Sequence, residues 1–393
     1  MSPERPAIWN RDFTLLWVTN FLMATSFYFL LPTVPAFATD ILRADKSQVG
    51  YLIGIFTVAA LAIRPLAGYL LDVRGRKAVY LGGLSLFALF VFSYQAASVF
   101  LLLLVVRFLH GLSWGVLTTG GSTVAADLLP GERRGEGLGY YGMTMTLAMA
   151  FGPLLGLQIA GDGLYGRLFF AAGALAAVAA LMGALIRYPT VKPSGRSLSV
   201  DSFLDRRVLP VAGIALVGMM SYGGVVSFLT LFTQERGLNA GLFFLVYAVA
   251  MSIARPFAGR LLDRRGPTLT LSGGLLMLMA GFVVLGMTQT TPLFALAAVL
   301  LGVGNGNVFP TLQAMAINLV EPQRRGVASS TLFSGIDLGI GLGSTVLGWV
   351  ADAAGLAAMY TASGLILLAP LAWFLLYVRR YYAGKVAQHG PTA

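Results

Sequence analysis

RPLAGYLLDVRG at residues 64–75 and RPFAGRLLDRRG at residues 255–266 agree at nine of twelve positions, 191 residues apart. Each begins with an arginine and a proline inside an apolar run and ends in a charged, glycine-containing turn. Further along at the same offset, GERRGEG from Gly131 faces PQRRGVA from Pro322, so Arg133, Arg134 and Gly135 align with Arg324, Arg325 and Gly326. Two matches in one register mean that a long unit has been duplicated head to tail.

Composition says what kind of unit it is. Of the 393 residues 57% are hydrophobic and only 11% charged, a balance that no soluble domain of this size shows. Apolar runs long enough to cross a hydrocarbon core of about 30 Å recur along the chain, separated by short clusters of glycine, proline and charge. Twelve spans are expected, near 13–37, 48–71, 78–97, 99–126, 135–160, 166–187, 207–233, 240–262, 267–288, 292–319, 326–351 and 355–379. The first is too long for the apolar core of a cleavable signal and lacks a small-residue cleavage site, so it reads as a retained helix. The fold class is therefore an all-α membrane protein of two six-helix bundles. The expected division is an N-terminal bundle at 1–187, a polar linker at 188–206, a C-terminal bundle at 207–380 and a tail at 381–393.

Basic residues orient the chain, because loops rich in Lys and Arg stay in the cytoplasm. With the N-terminus inside, inside segments hold 20 of the 27 Lys and Arg and outside segments hold four: Arg43, Lys46, Arg167 and Arg236. Both termini are expected in the cytoplasm, and the net charge of +11 reads as topology and attraction to anionic lipid, not nucleic-acid binding. There is no cysteine and only two histidines, hence no metal-ligand cluster, and no Gly-rich Lys-Ser/Thr loop for nucleotide. Neither an enzyme nor an ATP-driven pump is expected, and no cofactor.

Charged residues within spans cost about 3 kcal/mol or more at the bilayer centre and mark function. These are Arg64, Arg107, Arg255 and Asp337. Arg64 and Arg255 stand at equivalent places in the two copies, either as an anion-attracting pair or as side chains snorkelling beside Pro65 and Pro256.

Together these features resemble the major facilitator superfamily over essentially the whole chain. Its loop signature is matched by Gly68, Asp72, Arg74, Gly75, Arg76 and Lys77, and in the second copy by Gly259, Asp263, Arg264, Arg265 and Gly266, with Pro267 and Thr268 replacing the last basic residues. The resemblance implies a gate in which Asp72 accepts hydrogen bonds from the start of the eleventh helix. AFGPLLG, with Gly152, Pro153 and Gly156, is similar to the Gly-Pro motif of the antiporter branch and adds a gating bend, although Ala148 and Leu157 replace flanking glycines. RFLHGLSWG places Arg107, Gly111 and Gly115 on a motif linked to proton transfer, with His110 where glutamine is usual and no acid in the first helix before Asp40. An equivalent arginine pair binds the substrate anion in nitrate/nitrite porters, which the chain otherwise resembles distantly.

The reading is a secondary active transporter, a monomer in a bacterial inner membrane, exporting a small amphipathic drug-like compound or organic metabolite in exchange for protons. Uptake of a small anion through Arg64 and Arg255 is the rival, and a non-transporting sensor or scaffold a further one. Substrate contacts are expected from Arg64, Arg255, Asn20, Tyr28, Tyr222, Asn305 and Gln313, and proton coupling from Asp337, Arg107 and His110. Asp337 lies twelve residues beyond Arg325, about 18 Å into its helix, at a depth overlapping that of Arg64. Approach of these two would link protonation to the open side, and the pseudosymmetric position to Asp337 is Thr146.

Overall fold

The computed structural model describes residues 6–161, 163–190 and 203–389. It is helical throughout: α1 Arg11–Asp40, α2 Lys46–Arg74, α3 Arg76–Ser93, α4 Phe100–Leu128, α5 Arg134–Ala160, α6 Tyr165–Ala184, α7 Leu209–Arg236, α8 Ala240–Arg265, α9 Pro267–Met287, α10 Thr291–Asn318, α11 Arg325–Leu365, α12 Leu368–Trp373 and α13 Arg379–His389. Among the described residues, eleven helical segments are long and apolar enough to cross a membrane. The last runs through Pro322–Ala387 and is interrupted at Gly355, whose φ of 84° and ψ of 165° are not helical. Two of the twelve expected spans are thus joined end to end at that glycine, where only a residue without Cβ adopts the conformation at little cost.

The helix ends follow from local chemistry. Asn10 caps α1 by accepting from the Phe13 amide at 2.8 Å, and Asp45 and Gln48 form a reciprocal capping box at the start of α2. Gly75 (φ 91°) and Gly266 (φ 73°), equivalent in the repeat, turn the chain into α3 and α9 through a conformation that side chains avoid. Pro267 then occupies the first turn of α9, where its missing N–H is no loss. Ahead of α7, Arg207 donates to the Asp205 carboxylate at 3.0 Å, which holds the guanidinium above its ordinary value.

The duplication is visible atom by atom. A Cβ on Gly111 of α4 would fall 2.5 Å from the Phe56 carbonyl of α2, and one on Gly115 would fall 2.5 Å from that of Ala60. In the second copy Gly302 meets the Tyr247 carbonyl at 2.5 Å and Gly306 that of Met251 at 3.0 Å. All four contacts keep the 191-residue offset. Between apolar helices in lipid no hydrophobic force drives association, so small residues spaced four apart supply the close packing instead.

The chain divides into two compact units that do not follow its midpoint. One comprises Met1–Leu129, Thr144–Leu204 and Pro322–Ser330; the other comprises Pro130–Met143, Asp205–Glu321 and Thr331–Ala393. The start of α11 therefore groups with α1 to α4, and the start of α5 groups with α7 to α10. Most of the expected linker, residues 191–202, lies outside the described residues, as does the end of the tail at 390–393.

Candidate functional site

What draws the start of α11 into the first unit is Asp72. Its carboxylate accepts from the amides of Gly326 at 2.9 Å and Val327 at 3.0 Å, capping α11 where the helix dipole favours an anion. In the second unit Asp263 accepts from Gly135 and Glu136, both at 2.8 Å, and caps α5 in the same way. Glycines let the backbones meet: a Cβ on Gly68 would lie 2.8 Å from the Gly326 carbonyl, and one on Gly259 would strike that of Gly135.

The two caps differ in charge. In the first copy Arg76 donates to Asp72 at 2.7 Å and to Asp127 at 2.8 Å, and Arg325 donates to Asp127 at 2.7 Å, all with buried side chains. Arg76 also reaches the Pro322 carbonyl at 2.5 Å. In the second copy Pro267 replaces Arg76 and Asn318 replaces Asp127, so Arg134 meets a neutral amide at 2.6 Å. Asp263 makes no ion pair among the described residues. Its neighbour Glu136 instead binds Arg260 at 2.6 Å and Arg133 at 2.8 Å. Arg74 and Arg265, also of the loop signature, are exposed. Sequence reading missed Asp127 and Arg260; the Asp127/Asn318 match at the repeat offset is the signal that could have found the first.

Three of the expected substrate residues come together in the second unit. Arg255, 5% exposed, lies beneath the Phe309 ring at 5.3 Å and against Gly142, where any Cβ would strike the guanidinium. Tyr222 stacks on Tyr247 with ring centres 6.2 Å apart, with Asn305 close to Tyr247 and Arg255 near both tyrosines. Tyr247 was missed, although Tyr247, Met251 and Arg255 recur at i, i+4 and i+8 on one face of α8. Gln313 is buried two turns beyond Asn305 on α10. The arrangement offers a buried cation, an amide and two phenols against an aromatic wall, which suits an amphipathic molecule with one anionic group.

Other expected residues lie in the first unit. Arg64 is 2% exposed and donates to the hydroxyls of Thr118 at 2.9 Å and Thr119 at 3.3 Å on α4. Asn20 donates to the Thr144 hydroxyl of α5. Arg107 and His110 are buried together and joined through Tyr94: Arg107 donates to its oxygen at 3.3 Å, and the hydroxyl lies 2.9 Å from His110 Nδ1. Asp337 is half-buried on α11 within the second unit.

Gly152 and Gly156 are packing surfaces for α1. A Cβ on Gly152 would meet that of Tyr28 at 2.5 Å, and one on Gly156 would meet the Phe29 carbonyl at 2.7 Å; Pro153 sits between them inside α5. Gly156→Val should therefore destabilise the protein by about 1–3 kcal/mol through overpacking, whereas Leu157→Ala, at an exposed neighbouring position, should leave melting unchanged. Equal melting of the two variants would show that α5 does not need this approach.

A duplicated six-helix frame, with paired carboxylate caps and buried polar clusters inside apolar helices, defines a multi-pass membrane carrier. The chain belongs to the Major Facilitator Superfamily, whose family model matches residues 16–245 and 237–391. It is 23% identical over 372 residues to an uncharacterised MFS-type transporter of Methanocaldococcus jannaschii, covering 91% of this chain and 95% of that one. It is 28% identical over 334 residues to one of Burkholderia pseudomallei, covering 83% and 82%. Among solved structures it resembles the human organic anion transporter MFSD10 with a TM-score of 0.82, 21% identity and coverage of 94% and 100%. It also resembles the E. coli fucose:proton symporter FucP with a TM-score of 0.76, 20% identity and coverage of 92% and 97%.

Proposed function

We propose that this transporter exports an amphipathic organic compound bearing an anionic or zwitterionic group across a bacterial inner membrane, in exchange for protons, with both termini in the cytoplasm. The Arg255, Tyr222, Tyr247, Asn305 and Phe309 cluster carries the substrate class. Its guanidinium supplies a fixed positive charge in an apolar setting, where an organic anion gains most from a charge-assisted hydrogen bond. An organic anion is also the substrate class in the name of the structural neighbour MFSD10, the human organic anion transporter.

Carriers built from duplicated bundles work by rocking one repeat against the other. In this reading the Asp72 and Asp263 caps, with Gly68, Gly75, Gly259 and Gly266, are bonds that break and re-form in each cycle, and Gly152, Pro153 and Gly156 serve the export direction. Of the three residues expected to couple protons, Asp337 carries the proposal. Apart from Asp352, which stands three residues before the Gly355 break, it is the one carboxylate that lies several turns from a helix end among the described residues.

The test is thermal stabilisation of the purified full-length protein by a panel of organic anions, zwitterions and sugars, followed by proton release in everted vesicles. An organic anion should raise the melting temperature, and Arg255→Gln should weaken its apparent affinity by about 10–100-fold, as loss of a charged hydrogen bond does. Stabilisation by neutral sugars alone, or anion binding unchanged in Arg255→Gln, overturns the substrate class. A proton gradient that no stabilising compound discharges overturns antiport.

A further inference from the structure

Arg107, Tyr94 and His110 form a group whose charge has no ion-pair partner among the described residues. Their exposures are 2%, 0% and 0%, and Phe27, Phe56 and Phe87 pack around the imidazole with ring centres 6.2, 5.3 and 4.8 Å away. The Arg107 guanidinium rests 4.8 Å from the centre of the same Phe56 ring. Its one hydrogen bond among the described residues goes to Tyr94, and no carboxylate there pairs with it. Arginine stays charged in proteins, and a buried charge without partners is costly.

The donor pattern is equally one-sided. Arginine can only donate, so the Tyr94 oxygen accepts from Arg107. Its own proton then has one place to go, His110 Nδ1 at 2.9 Å. That fixes the neutral imidazole with its hydrogen on Nε2. Arg107 Nε and His110 Nε2 are then both N–H donors, both buried and both without a hydrogen-bond partner among the described residues. Residues 107 and 110 share one face of α4. A site with a fixed positive charge, two N–H donors that find no acceptor among the described residues, and aromatic walls asks for an anion. The walls select its kind. Apolar rings cannot replace the water that sulfate or phosphate would lose, and the group is enclosed by side chains on a small scale, so the fitting class is a small, weakly hydrated monovalent anion such as a halide.

We infer that Arg107 and His110, with Tyr94 between them, bind a small monovalent inorganic anion inside the first unit, separately from the organic substrate. Arg107 would then be held by a counter-ion that is not part of the polypeptide, and stability and transport both depend on the anion in the medium.

The experiment compares the full-length protein in chloride, bromide, nitrate, formate, sulfate and gluconate at constant ionic strength, without organic substrate. Melting should rise with the logarithm of chloride, bromide or nitrate concentration, by about 2 °C per tenfold increase above half-saturation, and stay flat in sulfate and gluconate. Arg107→Gln and His110→Phe should remove that dependence. Because either variant can fail to fold, crystals of the unaltered protein in bromide provide a second readout, with anomalous signal expected beside Arg107 Nε and His110 Nε2. Identical melting in chloride and gluconate, a halide effect that survives in both variants, or crystals with water alone at the two nitrogens would overturn the inference. Stabilisation by formate but not halide would also overturn it, because a carboxylate site would then be indicated.

Discussion

Asp337→Asn should abolish proton-driven accumulation of substrate, lowering the rate by about 100-fold or more as loss of an essential proton-transfer group does, while substrate-induced thermal stabilisation stays measurable. Asp337 is twelve residues inside α11, about 18 Å from its start, and a carboxylate at that depth crosses hydrocarbon cheaply only when protonated. Asparagine keeps the shape and an acceptor but can neither gain nor lose a proton. The measurement is uptake into everted vesicles under an imposed pH gradient, beside a melting assay of the same preparation. Counterflow without a gradient should persist in the variant, since exchange of substrate for substrate moves no proton. Parental uptake against a gradient would sink the assignment, and loss of substrate binding would place Asp337 in the substrate site instead.

Asp72→Ala should cost about 3 kcal/mol or more of stability, whereas Asp263→Ala should cost about 1–3 kcal/mol. Both variants leave two backbone N–H donors at a helix start without their acceptor. Asp72→Ala also deprives buried Arg76 of one carboxylate and unbalances the Asp127 and Arg325 network. Asp263 has no such ion pair among the described residues, because Pro267 stands where Arg76 stands in the first copy. Melting in nanodiscs should therefore separate the two, with Asp72→Ala lower. Equal losses would mean that the ion network adds nothing to the cap.

The sequence on its own determined the class and the frame. Uninterrupted apolar runs leave no alternative to membrane-spanning helices, since every backbone polar group in lipid must be satisfied within its own helix. The repeat offset alone aligns Asp72 with Asp263 and Arg64 with Arg255. Spacing also placed Gly68 and Asp72 on one face of α2, because i, i+4 periodicity is a property of one helix. What joins different helices was decided only by the tertiary structure. Asp127 and Arg325 are 198 residues apart and look like ordinary helix-end charges; they become a pair because α4 ends where α11 begins. Tyr94 sits in a short turn after α3 and carries no pattern, yet it bridges Arg107 and His110. Tyr247 likewise meets Asn305 only through the packing of α8 on α10. Periodicity reports which face a residue occupies, but hydrogen-bond partners across helices depend on the distance and rotation between them, and those are set by glycine contacts spread over the whole chain.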